Sequence, residues 1–156
     1  MIKNIIFIST WIVILCSCDP AMIYDSYQKI EKASWGWEDK KVFKLTVPDS
    51  INTYNILINI RHTTAYPKSN LFVFITSIAP NGQSVRDTVE IQVADRKGKW
   101  TGNGFGDIKL ISRMYKRAAK FRYNGEYTFV IEQGMRIPEV PVTDVGLRIE
   151  KFIDLK

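Results

Sequence analysis

Apolar residues along most of this chain recur at every second position, the period of a strand that buries one face. In KVFKLTV, Phe43, Leu45 and Val47 share a face. In TYNILINIRH, Tyr54, Ile56, Ile58 and Ile60 share one, while Asn55, Asn59 and Arg61 fall mostly on the other. DTVEIQV sets Val89, Ile91 and Val93 against Glu90 and Gln92, and TDVGLRIEK sets Val145, Leu147 and Ile149 against Arg148 and Glu150. GDIKLIS contributes Ile108 and Leu110, and GEYTFVIEQ contributes Tyr127, Phe129 and Ile131. NLFVFITSI is apolar on both faces, as a central strand is. A further strand is expected within Tyr24 to Lys32, where Tyr27 and Ile30 are the apolar positions.

Turn chemistry punctuates these runs. Pro80-Asn81-Gly82 suits a tight reversal, and Asn124-Gly125 tolerates the positive φ of a hairpin or bulge. Gly102, Gly104 and Gly106 also read as a turn, because no Lys-Ser/Thr follows them as a phosphate loop requires. Only LISRMYKRAAKF, with Leu110, Met114 and Arg117 at helical spacing, admits a short helix. About eight strands with no long helix predict an all-β fold, an antiparallel β-sandwich. Strands of medium length with several long connections point to its jelly-roll form.

The N-terminus follows another pattern. An apolar run goes from Ile5 to Leu15, with Lys3 as the only charge before it. It falls short of the ~20 residues that span a bilayer and has the layout of an export signal. Leu15-Cys16-Ser17-Cys18 resembles the bacterial lipobox. On that resemblance Cys18 is the lipidated residue, residues 1–17 are a signal peptide, 18–26 an extended lipidated tether and 27–156 the sandwich. The alternatives are a short anchor helix with incidental cysteines, or a Cys-x-Cys metal site. No cysteine occurs from Asp19 to Lys156, so the mature chain forms no internal disulfide. His62 is the only histidine, which leaves no second Cys/His cluster for a metal.

Charge adds little. The chain carries +6, one unit of it from Lys3 in the leader. An exported basic domain is not expected to meet nucleic acid; lipopolysaccharide, acidic glycan or an acidic protein suits it, and so does plain solubility.

Three stretches resemble one family. They are NIRHTTAYPKSNLFVFI, from Asn59 to Ile75; KWTGNGFGDIKL, from Lys99 to Leu110, leading to the NGEYTFVIEQGMR that ends at Arg136; and VTDVGLRIEK, from Val142 to Lys151. Together with the lipobox they resemble the gliding-motility lipoproteins of the GldH type, from Bacteroidetes. The resemblance implies a cell-envelope lipoprotein, attached to the outer membrane through lipid such as palmitate on Cys18. It also implies association with other proteins of the gliding and type IX secretion apparatus, and offers no catalytic residue.

Candidate contact residues each have a structural alternative. Trp35 and Trp37, if both lie in a strand, align two indoles on one face, a platform for sugar rings; otherwise they are core. Arg61, His62 and Tyr66 lie where a strand runs into a turn, a common place for binding residues. There Arg61 offers a planar fork to a carboxylate or phosphate; otherwise His62 caps the core. Lys109, Arg113, Lys116, Arg117, Lys120 and Arg122 form a basic stretch without an acid, suited to an acidic glycan or lipid headgroup, or to a solvated strand edge. Asp107 and Asp144 are a weak calcium pair, since calcium takes six to eight oxygens. No carboxylate pair stands out for glycoside hydrolysis, and no serine sits in a nucleophile elbow. The expectation is therefore a non-catalytic protein without cofactor that works by protein contacts. A surface carbohydrate-binding module of jelly-roll type is the alternative.

Overall fold

A computed structural model of the chain describes residues 19–47 and 49–153. The signal, Cys18 and its lipidation lie outside the described residues. The strands are β1 (Met22–Lys29), β2 (Trp35–Gly36), β3 (Lys41–Val47), β4 (Thr53–Thr63), β5 (Asn70–Ile78), β6 (Ser84–Gln92), β7 (Ile108–Lys120), β8 (Gly125–Gln133), β9 (Glu139–Val140) and β10 (Val142–Lys151). A single 3₁₀ turn, Glu31–Ala33, interrupts them. Among the described residues no helix is long and apolar enough to cross a membrane.

Eight long strands build two four-stranded antiparallel sheets, β1-β10-β4-β7 and β3-β8-β5-β6, and β2 pairs with β9 in a small third sheet. Of the connections between long strands, only β5–β6 is a hairpin within one sheet; the others cross between sheets. This is the jelly-roll arrangement of the antiparallel sandwich.

The alternation read from the sequence becomes the core. Phe43, Leu45 and Val47 from β3, Ile56, Ile58 and Ile60 from β4, and Val145, Leu147 and Ile149 from β10 are buried between the sheets. β5 lies between β6 and β8, so Leu71, Val73 and Ile75 are fully buried inward. Its outward Phe74 lies under the Arg86 guanidinium, 4.6 Å from the ring centre. The Pro80-Asn81-Gly82 reversal closes the β5–β6 hairpin, with Gly82 at φ +83° and its N–H donating to the Ala79 carbonyl at 2.9 Å.

Register defines two ends. Met22 faces Glu150, Lys151 faces Tyr54, and Thr53 faces Lys120, so the described chain begins and finishes at one end, with the 121–124 connection beside it. At the opposite end, Asp144 faces Arg61 and Thr63 faces Ile108, below the long β6–β7 connection. We call these the terminal end and the loop end.

Two expectations are corrected here. LISRMYKRAAKF is strand from Leu110 to Lys120, with no helix. Register irregularities opposite Ile56 and a positive φ at Ala118 break the two-residue period. As an edge strand, β7 also tolerates charge on both faces, which hides the alternation. The extended tether is shorter than 18–26, because Met22 to Ser26 already pair with β10. Arg148 explains this: it forms ion pairs with Asp25 at 3.2 Å, Glu150 at 3.1 Å and Asp19, and so holds the incoming chain to the sheet.

Candidate functional site

The tryptophan platform does not form. β2 stops at Gly36 and a turn follows, so the two indoles leave in different directions. Trp35 is fully buried and donates its Nε1–H to the Asp39 carbonyl at 2.7 Å. Trp37 is half exposed and donates to the Met135 carbonyl at 2.9 Å. Each indole is thereby a structural strut at the loop end.

His62 and Tyr66 are also structural. Tyr66 is buried and its hydroxyl donates to the Asn70 carbonyl at 2.9 Å, bracing the β4–β5 turn; burial pushes the phenol well above its ordinary range. His62 is fully buried between the Tyr66 and Trp100 rings, with centroids at 5.7 and 5.0 Å. Its Nδ1 lies 2.9 Å from the Thr63 carbonyl, so that nitrogen carries the proton and donates. Nε2 is then buried without a partner among the described residues. Burial pushes the imidazole below its ordinary pKa, and nearby Lys109 adds to the effect against the Thr63 carbonyl.

Arg61 and Asp144, separate candidates in the sequence, come together. They lie side by side on β4 and β10 with Nη1–Oδ1 at 4.0 Å, and Arg61 also sits 4.5 Å over the Tyr27 ring. Asp107, the other half of the calcium reading, lies in the β6–β7 connection and accepts from the Thr64 hydroxyl at 3.5 Å. Among the described residues, no three His, Cys, Asp or Glu gather as metal ligands would. In the basic stretch, Lys116 pairs with Asp87 at 2.9 Å and Arg117 lies 5.5 Å from the Phe152 ring. Arg113 is exposed on the open side between β6 and β7.

The residue that sequence reasoning missed is Phe105. It stands between Gly104 and Gly106 at the tip of the loop end and is completely exposed. The loop beneath it is braced. Asn103 and Leu110 exchange backbone hydrogen bonds at 3.0 and 2.7 Å, and the Lys109 ammonium donates to the Gly104 and Gly106 carbonyls at 3.2 and 2.9 Å. The Thr64 N–H donates to the Asp107 carbonyl at 2.8 Å, fastening the loop to the β4–β5 turn. A hollow of about 340 Å³ beside Phe105 is lined by Ile108, Leu110, Arg61 and Asp144. An exposed aromatic on a braced loop, beside a small apolar hollow and a charged pair, has the make-up of a protein-binding anchor. The signal in the sequence is an aromatic flanked by glycines, with no strand period to bury it.

The family model described as GldH lipoprotein matches residues 22–149, from the first strand nearly to the end of the last. The chain belongs to the GldH lipoprotein family. The gliding motility lipoprotein GldH homolog of Christiangramia forsetii is 39% identical over 154 residues, covering 94% of this chain and 93% of that protein. The gliding motility lipoprotein GldH of Flavobacterium johnsoniae is 37% identical over 158 residues, covering 96% of this chain and 98% of that protein. Among solved structures, infectious bursal disease virus, Gx strain, superposes at a TM-score of 0.36 with 11% identity. That match covers 85% of this chain but only 31% of the viral one. GldH membership bears out the resemblance seen in the 59–75, 99–136 and 142–151 stretches.

Proposed function

We propose that this GldH-family chain is a non-catalytic envelope lipoprotein of the gliding-motility and type IX secretion apparatus. It is held to the outer membrane by lipid on Cys18 and works through protein contacts of the sandwich. Family membership over almost the whole chain supports the motility role, and the lipobox supports the anchor. The observation that carries the protein-contact reading is Phe105, fully exposed on a braced loop at the end away from the termini. A lipid at Cys18 enters the fold at the terminal end, so Phe105 points away from the attachment. The loop is already ordered, so binding through it forfeits little conformational entropy. The glycan alternative loses its platform with the burial of Trp35.

The test is a Phe105→Glu variant expressed in a gliding host that lacks its own family member. Normal abundance of the protein with lost colony spreading supports the reading. Spreading equal to wild type at equal abundance contradicts it.

A further inference from the structure

At the terminal end the sandwich is open. β6 and β7, the unpaired edges of the two sheets, part around a cleft of about 590 Å³. Its floor is the end of the core, formed by Ile56, Phe121, Tyr127 and Phe129. The Phe121 ring is fixed against Tyr127 and Tyr54, with centroids at 4.7 and 5.4 Å, so the floor is packed and does not collapse into the opening. The rim carries Lys116, Lys120 and Arg122. Its one carboxylate, Asp87, is already engaged by the Tyr115 hydroxyl at 2.6 Å and by Lys116 at 2.9 Å. Among the described residues, Lys120 and Arg122 form no ion pair.

The volume lies within the ~300–1,000 Å³ of clefts that hold small molecules. An apolar floor under a cationic rim complements a hydrocarbon chain that ends in an anion, and offers little to the hydroxyls of a sugar. The position fits as well. Lys120 faces Thr53, whose carbonyl accepts from the Phe152 N–H at 2.9 Å, while the Ala21 carbonyl accepts from the Lys151 N–H at 2.7 Å. The cleft and the incoming chain therefore share one end. Three residues separate Cys18 from Met22, and the Met22 N–H donates to the Asp19 carbonyl at 3.2 Å, a turn that keeps the attachment point beside β1 at this end. β7 lies three strands from β1, roughly 14 Å across the sheet.

We propose that this cleft takes one acyl chain of an anionic phospholipid from the membrane that anchors the protein, with Lys120 and Arg122 holding the anionic headgroup. The inference rests on the proposed anchor for its access to lipid, though not for its chemistry. A bound lipid fixes the rotation of the sandwich on its tether and keeps Phe105 directed away from the bilayer.

The test uses the mature lipidated protein in phosphatidylcholine vesicles doped with phosphatidylglycerol whose acyl chain carries a diazirine. After irradiation, adducts are expected on Phe121, Tyr123 or Val85. Each Lys or Arg near an anionic lipid contributes a factor of roughly five, so a phosphatidylcholine probe should give at least about tenfold less. The K120Q/R122Q variant should lose the adducts to a similar degree, and V85W, which crowds the mouth at an exposed position, should lose them with the cations intact. An unlabelled cleft, or equal labelling by both headgroups, overturns the proposal. Native mass spectrometry of the same protein with lysophosphatidylglycerol reads the site without a bilayer: one bound lipid that the K120Q/R122Q variant loses is expected, and none bound contradicts it. Neither readout involves a partner protein, so failure here leaves the Phe105 reading standing.

Discussion

The Tyr27 hydroxyl accepts a hydrogen bond from the Asn59 side-chain amide at 3.0 Å, although the two residues lie on strands separated by β10. Gly146 makes the reach possible. Tyr27, Gly146, Asn59 and Ser112 stand in one row across the four strands of that sheet, and the phenol lies over the glycine. The Ser112 hydroxyl donates to the Asn59 side-chain Oδ1 at 2.7 Å, completing a polar row that leaves Asn59 buried on an outward face.

A Cβ at Gly146 would lie 2.7 Å from two Tyr27 ring carbons. Gly146→Ala should therefore destabilise the fold by about 1–3 kcal/mol through overpacking. Tyr27→Ala in the same chain should return part of that loss, since it removes the ring. A double-mutant cycle by urea denaturation checks this, and strict additivity would contradict it.

Asp87 is a latch between the sheets, accepting from Tyr115 and paired with Lys116 on the facing edge strand. The Tyr115 hydrogen bond, then Lys116, hold its carboxyl below the ordinary range. The folded pKa is depressed, so the unfolded chain takes up a proton first as pH falls. The stabilisation is complete above the unfolded value of about 3.9 and is lost below it, as pH drops through the folded value. Because Asp87 is partly exposed, Asp87→Asn should cost only about 1 kcal/mol at neutral pH. Its deficit should shrink as pH falls below about 4, which melts at pH 7 and pH 3 will show.

His62 titrates in a higher window. Burial lowers its folded pKa, so the unfolded chain again binds the proton first. Stability should be full above about pH 6.5 and decline as pH falls from there toward the folded value. His62→Phe keeps an aromatic between Tyr66 and Trp100 and removes the buried, unpartnered nitrogen. Its unfolding free energy should be flatter between pH 7 and 5 than that of wild type, and an unchanged slope would exclude His62 as the cause.

Trp35 and Trp37 should separate sharply. Trp35→Ala removes a fully buried indole and should cost about 3–5 kcal/mol. Trp37→Ala removes a half-exposed one and a single hydrogen bond, for about 1 kcal/mol. Equal costs would place the two side chains in equivalent environments, against the structure.

The sandwich was legible wherever a strand buries one face for its whole length. Phe43, Leu45 and Val47, and likewise Ile56, Ile58 and Ile60, mark the core by alternation alone. Beyond Ser112, β7 was not legible, because bulging and edge charges erase its period. The Trp35-Gly36-Trp37 reading failed because period two holds only while the strand lasts, and β2 lasts two residues. The burial of Asn59 depends on Tyr27, which is distant in sequence and brought near only by the β1–β10–β4 order. At the candidate site, Arg61 and Asp144 were visible singly. Their pairing and the opening between β6 and β7 arise from the fold and have no local pattern, whereas Phe105 carries one local sign, an aromatic between two glycines.

The central claim is polarity: lipid at the terminal end, protein contacts at the loop end. It is tested most directly by placing a photoreactive amino acid at position 105, and separately at position 51, an exposed site at the terminal end, and irradiating intact envelopes. The account predicts discrete protein adducts from position 105 and lipid adducts from position 51. Protein adducts confined to position 51, or none at 105 while the protein is present and folded, would contradict it.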